Sequence, residues 1–427
     1  MANKIKKILV FLILGLSFLS KELIAQSIEI NQFDQNKADD IYWFLEKNNF
    51  GQSSFNKNLK VNYSFKRNGL EILLNIISPY KEYKNIFNND FEIISRELGQ
   101  NNFFGESYIK YDLEKNSYVK IGKYYRDFSS YMNDALSSGS LLISNNAQPM
   151  PKIGFVQNID LKNPIFSFKY GIAHGIFDKN EYYITSPYLH EKFIYLIVQK
   201  KNNIFKIGLV HEAMWGGKST EYTFPTGFNN FLKVMVSADG PADNSSGDHI
   251  NAIGNHLGIW DFYFEKKLLD RKYKFYYQHF FEDTSSFRFA NKIDGLWGFE
   301  YKNSSNSFML EYLDFSNSSI DPPYQDDGYY THYEYKNGWR YKGNILGNPY
   351  INTNNSITYY KFLILGISGQ NRHFDYLLKS SKNISNDDNI LFKISISKEI
   401  FQKNRLSLIF ANNGEKISYG LSYFVDI

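Results

Sequence analysis

The sequence predicts an all-β fold: a closed, antiparallel transmembrane β-barrel with short turns at one end and long loops at the other. Three observations lead there. The chain opens with an export signal. Aromatic residues make up 18% of it, with 37 Phe, 34 Tyr and 5 Trp, yet mean hydropathy is −0.42. Apolar and polar residues also alternate with period 2 in segment after segment. A greasy outer face and a wet inner face would reconcile the aromatic content with the low hydropathy.

The first 25 residues read as a signal peptide. Lys4, Lys6 and Lys7 form a basic region, and Ile8 to Leu19 is an apolar run of 12 residues, too short for a membrane-spanning helix. "KELIAQS" offers cleavage after Ala25, so the mature chain is expected to begin at Gln26 and to lie in the outer membrane. Residues 26–57 are assigned to an N-terminal periplasmic segment. Within it "KADDIYWFLEK" (Lys37 to Lys47) reads as a short helix, with Asp39 and Asp40 favouring its N-terminus. Residues 58–427 are assigned to the barrel. "NNDFEIISREL" (Asn88 to Leu98) is readable as a second helix or a strand.

Alternation carries the strand assignments, because successive side chains on a strand point to opposite faces. In "NLKVNYSFK", Leu59, Val61, Tyr63 and Phe65 oppose Lys60, Asn62, Ser64 and Lys66. Phe205, Ile207 and Leu209 oppose Lys206, Gly208 and Glu212. Tyr273, Phe275 and Tyr277 oppose Lys272, Lys274 and Gln278. Trp297, Phe299 and Tyr301 oppose Gly298, Glu300 and Lys302, and Phe308, Leu310 and Tyr312 oppose Glu311. At the chain end Ile417, Tyr419, Leu421, Tyr423, Val425 and Ile427 share parity. "KKNN" at 200–203 and "LLDR" at 268–271 fit hairpin turns. Longer polar loops are expected near 125–163, 175–190, 216–229, 237–255 and 316–330. Strands of about 8–12 residues suit a tilted membrane strand, and the chain has room for about 16–20 of them. A soluble sandwich or propeller is the competing fold. No blade repeat is present, and Lys, Glu, Asp and Asn occupy the face a sandwich would have to keep dry.

Other classes recede. There is no cysteine, hence no disulfide framework and no thiolate metal site. A net charge of +4, mixed along the chain, does not suggest nucleic acid. "GLVHEAMWGGKST" (Gly208 to Thr220) looks like chemistry, but its spacing fails. A zinc-protease helix needs a second His where Trp215 stands, and a phosphate loop needs Gly where Glu212 stands. His190-Glu191 has Ile194 at the same offset. The polar face expected to line the lumen collects Lys169, Lys192, Lys206, Glu212, Asp261, Lys272, Lys274, Gln278, Glu300 and Glu311. It reads as a salt-bridged interior or, more sharply, as a sugar-binding surface. His174, His190, His211, His249 and His256 fall near the long-loop side. With Asp248 they are metal-ligand types, but hydrogen bonding to neighbouring loops is the simpler role. No metal and no cofactor is expected.

Six ordered blocks then become recognisable: 136–153, 171–196, 208–217, 254–262, 276–301 and 326–349. Together they resemble the capsule assembly Wzi family. The resemblance implies an outer-membrane barrel of about 18 strands, a non-enzymatic lectin that retains capsular or surface polysaccharide. "HEAMWGG" then resembles a family strand-to-loop junction. The family's better-known members carry an N-terminal helical bundle, for which the residues before the first clear strand leave little room. The partners implied are capsular or exopolysaccharide and outer-membrane lipid, with a monomeric state and no nucleic acid. Polysaccharide contacts are expected at His190, Lys192, His211, Glu212, Trp215 and His256, with Asp239, Asp248, His249 and Asp327 in adjoining loops. A porin or sugar channel is the alternative function, and a membrane-barrel metalloenzyme acting on polysaccharide a further one.

Overall fold

The structure is a computed structural model that describes residues 26–33, 57–79, 103–114, 116–239, 252–282, 287–317, 328–351, 360–386, 390–401, 404–412 and 417–426. Among the described residues eighteen long strands, with the two-residue strand Phe103–Phe104 paired beside them, form one closed sheet. They are β1 (Gln26–Phe33), β2 (Lys57–Arg67), β3 (Leu70–Pro79), β4 (Ser107–Leu113), β5 (Ser117–Tyr124) and β6 (Met150–Asp160). Next come β7 (Phe166–Ile176), β8 (Tyr188–Lys200), β9 (Asn203–Trp215), β10 (Asn255–Leu268), β11 (Arg271–Phe281) and β12 (Gly295–Lys302). The last six are β13 (Asn306–Asp314), β14 (Lys361–Gln370), β15 (Asp375–Asn383), β16 (Leu391–Phe401), β17 (Asn404–Asn412) and β18 (Ile417–Asp426). Each strand pairs antiparallel with its sequence neighbours, and β18 closes the ring on β1, with Ile28 opposite Val425. Closure leaves no unpaired edge, which is what lets a β-structure cross lipid. Among the described residues no helix is long and apolar enough to cross a membrane.

The hairpins β2–β3, β8–β9 and β10–β11 turn within two residues at one end of the barrel. Asn68 and Gly69 have φ of 48° and 79°, the paired positive values of the hairpin turn that matches strand twist. "KKNN" and "LLDR" close in the same way, with Lys200 opposite Asn203 and Leu268 opposite Arg271. The long connections, 125–149, 177–187, 216–254 and 315–360 among them, gather at the other end.

Alternation sorts the wall as expected. Ile121, Ile153, Ile194, Leu408 and Tyr419 point outward and are 47–59% exposed. Such a band of bare apolar side chains suits acyl chains rather than water. The inward face holds the polar set: Glu29 with Lys60, and Asn62 with Asn75. Where the wall turns aromatic inside, a glycine sits across from the ring. Tyr276 lies flat over Gly298, where an added Cβ would stand 1.9 Å from the ring. The glycine frees the lumen for what fills it.

That filling is the β5–β6 connection, residues 125–149. It plunges inward and is fastened to the wall strand by strand. Lys169 of β7 donates to the Asp127 carbonyl, and Tyr195 of β8 accepts from the Ser129 amide at 3.2 Å. Asp261 of β10 accepts from Ser129 Oγ at 2.7 Å, and Lys274 of β11 donates to the Ser130 carbonyl. Glu300 of β12 accepts from the Met132 amide at 2.8 Å, Glu311 of β13 from the Ser138 amide at 2.6 Å. Asn133 reaches Ser368 of β14, and Lys379 of β15 donates to the Ser137 carbonyl. The segment is its own scaffold as well: Arg126 donates to the Ser129 and Ile143 carbonyls, to Asn145 and to Asp134.

Three expectations change. Among the described residues the first barrel strand starts at Gln26, ahead of the expected residue 58. Residues 26–33 form a wall strand, and Phe33 and Lys57 lie at the long-connection end, away from the short hairpin turns. The expected loop 125–163 contains β6, whose inward Gly154 and Val156 blur the polar alternation. An unexpected helix, α1 (Phe228–Met235), interrupts the β9–β10 connection. The signal peptide and the helical readings of Lys37–Lys47 and Asn88–Leu98 lie outside the described residues.

Candidate functional site: a loop crown over a filled lumen

Above the inserted segment, three connections pack into a crown. Trp339 is fully buried; its Nε1 donates to the Leu142 carbonyl at 2.9 Å, and its ring meets Phe177 edge-on at 5.6 Å. Tyr335, also fully buried, stacks on Phe224 at 4.1 Å. Tyr330 donates to the Leu141 carbonyl, and Asn348 Nδ2 to Ser138 Oγ at 3.0 Å. Segment 328–351 therefore rests directly on 125–149, and 177–187 and 216–227 lean against it.

The crown's outer surface is polar with aromatic faces. Tyr333 is 59% exposed and stacks on His332 at 4.9 Å; Tyr182 is exposed nearby in sequence to Tyr183, whose ring packs against Tyr335. Lys336 pairs with Glu221 across two loops, and the Lys342 amide donates to Asp178 at 3.1 Å. His332 Nδ1 accepts from the backbone amides of Glu334 and Tyr335, at 3.2 and 3.1 Å. An imidazole can accept there only while neutral, and burial holds its pKa down to about 4. Asp294, just before β12, accepts from Asn317 and from the Tyr329 hydroxyl, and burial raises its pKa to about 6.

The residues expected to touch polymer separate into other places. Glu212 faces the lumen, fully buried, opposite Glu191 in register. Glu191 pairs with Lys152 at 2.8 Å, with both side chains buried. His190, Lys192, His211, Trp215 and His256 all point out of the barrel wall, on the parity of Ile194 and Leu209. Lys192, expected on the lumen face, is thus on the opposite one. The reason is non-local: α1 folds back over the outside of β7–β10 and covers this polar patch. Lys192 donates to the Met235 carbonyl. His190 stacks on His174 at 5.0 Å and meets Phe231 edge-on at 5.5 Å, and Trp215 packs on Phe231 at 5.5 Å. His211 Nε2 and His256 Nδ1 lie 2.9 Å apart, with Ser237 Oγ 3.2 Å from His211. His256 Nε2 donates to the Ile253 carbonyl, so its Nδ1 accepts and His211 Nε2 carries the shared proton. With His190 and Glu212 fully buried and His211 9% exposed, these three offer no surface to a polymer. Asp239 is exposed, bridged to Ala252 at the end of the α1 segment. Asp248, His249 and Asp327 lie outside the described residues. Among the described residues no group of three or more His, Cys, Asp or Glu is placed to hold a metal ion.

Sequence reasoning missed α1 and the crown aromatics. "GFNNFLKVM" carries the signal for the first: Phe228, Phe231, Leu232 and Met235 recur at helical spacing. For the second, the cluster of Tyr, His and Trp in 328–341 was available, but burial alone separates Tyr333, which is exposed, from Tyr335 and Trp339, which are not.

Comparison with known proteins places this architecture. Wzi of Escherichia coli, described as an outer membrane protein involved in group 1 capsule assembly and a carbohydrate binding β-barrel, superposes with a TM-score of 0.59 at 13% identity, covering 98% of this chain and 88% of that one. A BenF-like porin from Pseudomonas fluorescens gives a TM-score of 0.47 at 8% identity, covering 96% and 99% of the two chains. OccAB1 from Acinetobacter baumannii gives 0.44 at 10%, covering 94% and 95%. No curated protein sequence matches. The family model for capsule assembly protein Wzi matches residues 52–360, well over half of the 427 residues, and the chain belongs to that family.

Proposed function

We propose that this protein sits in the outer membrane and retains capsular or other surface polysaccharide by non-covalent binding at its crown, without chemistry on the polymer. The observation that carries the reading is the segment 125–149, hydrogen-bonded across the lumen to β7, β8 and each strand from β10 to β15. A barrel of 16–18 strands is wide enough for an aqueous channel when nothing fills it. Filling this one, and stacking 328–351 on the filling, favours a surface that holds over a pore that passes. The family membership and the carbohydrate binding of Escherichia coli Wzi point the same way.

The crown supplies suitable chemistry. The exposed ring of Tyr333 offers an apolar face to sugar C–H groups, and Lys218, Lys336, Lys342 and Glu221 offer hydrogen bonds to hydroxyls or acidic sugars. Each contact is worth about 1 kcal/mol net. Retention then comes from one long polymer meeting many copies of the protein. In the deletion strain total polysaccharide is expected to stay unchanged while the cell-bound share moves into the medium. Tyr333→Ala, in a barrel that still inserts, is expected to give a milder shift. Loss of total polymer would assign the protein to synthesis or export, and an unchanged partition would end the lectin reading.

A further inference from the structure

Two loop segments lie on the outside of the barrel wall rather than over its mouth. The first is α1, packed on outward-facing His174, His190, Lys192 and Trp215 of β7–β9. The second is 287–293, which continues the arc over β10–β12. The outward Trp260 donates from Nε1 to the Phe287 carbonyl at 3.2 Å, and outward His279 stacks on Phe289 at 4.0 Å. Outward Trp297 donates to the Ile293 carbonyl at 3.3 Å. Both segments spend their polar anchors on the wall and turn apolar side chains away from it. Phe228 is 72% exposed, Val236 74%, and Leu232 and Ile293 are exposed as well.

The spacing on α1 makes the pattern directional. Phe228, Leu232 and Val236 fall four apart on one stripe, while Phe231 and Val234 face the wall. Asn229 and Lys233 fill the remaining flank. On the second segment Arg288 and Lys292 are exposed beside Phe289 and Ile293. Phe289 holds a left-handed φ of 65°, an unfavourable setting for a bulky residue, and there its ring is still 40% exposed. An apolar stripe flanked by cations and amides is the composition of a segment that lies in a membrane interface.

We infer that α1 and 287–293 form a collar that docks into the headgroup–acyl boundary of the outer leaflet and roofs the wall's imidazole and lysine side chains against lipid. The occupant follows from position. The collar is continuous with the lipid-facing band below it, where Ile194 and Phe264 are exposed on the same strands. Left bare, His190 and Lys192 would meet acyl chains on that band, an expensive placement for polar groups. The collar covers them with a surface of its own that matches lipid. It also ties the long β9–β10 loop to the membrane plane, beneath the crown. The inference rests on the outer-membrane reading.

The chain has no cysteine, so single substitutions report cleanly. Phe228→Cys, Leu232→Cys and Phe289→Cys would each carry a nitrobenzoxadiazole label, in phosphatidylcholine–phosphatidylglycerol nanodiscs with or without 5-doxyl phosphatidylcholine. Leu408→Cys, mid-wall and outward, and Tyr333→Cys, on the crown, are the controls. Faster gel migration before boiling checks that each variant is folded. Doxyl lipid is expected to roughly halve emission at positions 228, 232 and 289, as at 408, with little quenching by aqueous iodide. Position 333 is expected to behave in reverse. If 408 responds to doxyl lipid but 228 and 289 respond to iodide, the collar inference is overturned and the outer-membrane reading stands. If 408 fails too, both fall. If oxidised Phe228→Cys protein runs as a cross-linked dimer and its label is shielded from lipid, a second copy covers the stripe and the inference is likewise overturned.

Discussion

Ser129 Oγ donates a 2.7 Å hydrogen bond to Asp261, 132 positions further along the chain. The same carboxylate oxygen accepts from the hydroxyls of Tyr195 at 2.6 Å and Tyr263 at 2.7 Å, and Asp261 is fully buried. This is where the inserted segment is gripped by the middle of the wall. Three hydroxyl donors thus converge on a single acceptor oxygen.

The first prediction concerns the lumen. In planar bilayers the protein is expected to show little steady conductance. Replacing residues 128–147 by a short Gly-Ser linker should convert it to a large ohmic pore, since an unfilled barrel of this strand number conducts. Asp261→Ala removes the grip but leaves the other anchors, so brief openings are expected rather than a permanent pore. A large conductance in the unmodified protein would contradict the filled lumen.

The second prediction concerns the buried ion pair of Lys152 and Glu191. Lys152 also donates to the Tyr125 carbonyl, and among the described residues no N–H or hydroxyl donor reaches either oxygen of the neighbouring Glu212. Lys152→Ala would leave two carboxyl groups buried together without a cation. The expected cost is about 3–5 kcal/mol, as for other buried pairs broken on one side. Lys152→Met combined with Glu191→Gln should cost clearly less. Urea midpoints of the reconstituted barrel decide between them; equal losses would mean that size and not charge matters here.

Most of the wall was readable from the residues alone, β1 and β6 excepted, and the loops were not, for a physical reason. Lipid on one side and polar filling on the other impose period 2, so Phe205, Ile207 and Leu209 sorted correctly from Lys206 and Glu212 without any structure. His190 and Lys192 broke the rule because α1 covers them, and the cover lies about 40 residues along the chain. Nothing local distinguishes an outward lysine under a helix from an inward one. Ser129 and Asp261 illustrate the same limit: each looks like an ordinary polar residue until the fold brings them together. The imidazoles enter as sugar contacts through the family blocks that contain them, but packing, not residue type, decides which ones a polymer can reach.

The third prediction is a pH dependence of the crown. His332 has a folded pKa of about 4, below its ordinary value, because burial disfavours the cation. Its contribution to stability is therefore complete above about pH 6.5 and is lost as pH falls toward 4. Asp294 acts in the opposite sense: its folded pKa of about 6 lies above the ordinary value, so its ionisation costs stability above pH 6 and that cost disappears on acidification. Hydrogen exchange should show 328–337 loosening between pH 6.5 and 4 while the β12 entry, around Asp294, becomes more protected. His332→Asn keeps an acceptor for the two amides and does not titrate, so it should abolish the first change alone. Equal loosening in that variant would place the acid response elsewhere.

The fourth prediction separates crown from barrel through Trp339. This one residue joins three segments: its Nε1 donates to the Leu142 carbonyl of the inserted segment, its ring packs on Phe177, and its backbone amide and carbonyl pair with Tyr330 and Leu346. Trp339→Phe keeps most of the apolar volume but leaves the buried Leu142 carbonyl without its donor, an expected loss of about 1–3 kcal/mol. Trp339→Ala also opens a cavity, raising the expected loss to about 3–5 kcal/mol. Because no barrel strand depends on Trp339 for its pairing, both variants should still migrate as folded barrels before boiling. Hydrogen exchange in 328–351 should quicken in the order wild type, Phe, Ala, and cell-bound polysaccharide should fall in the same order. Faster exchange with unchanged polymer retention would mean that the polymer is held somewhere other than the crown.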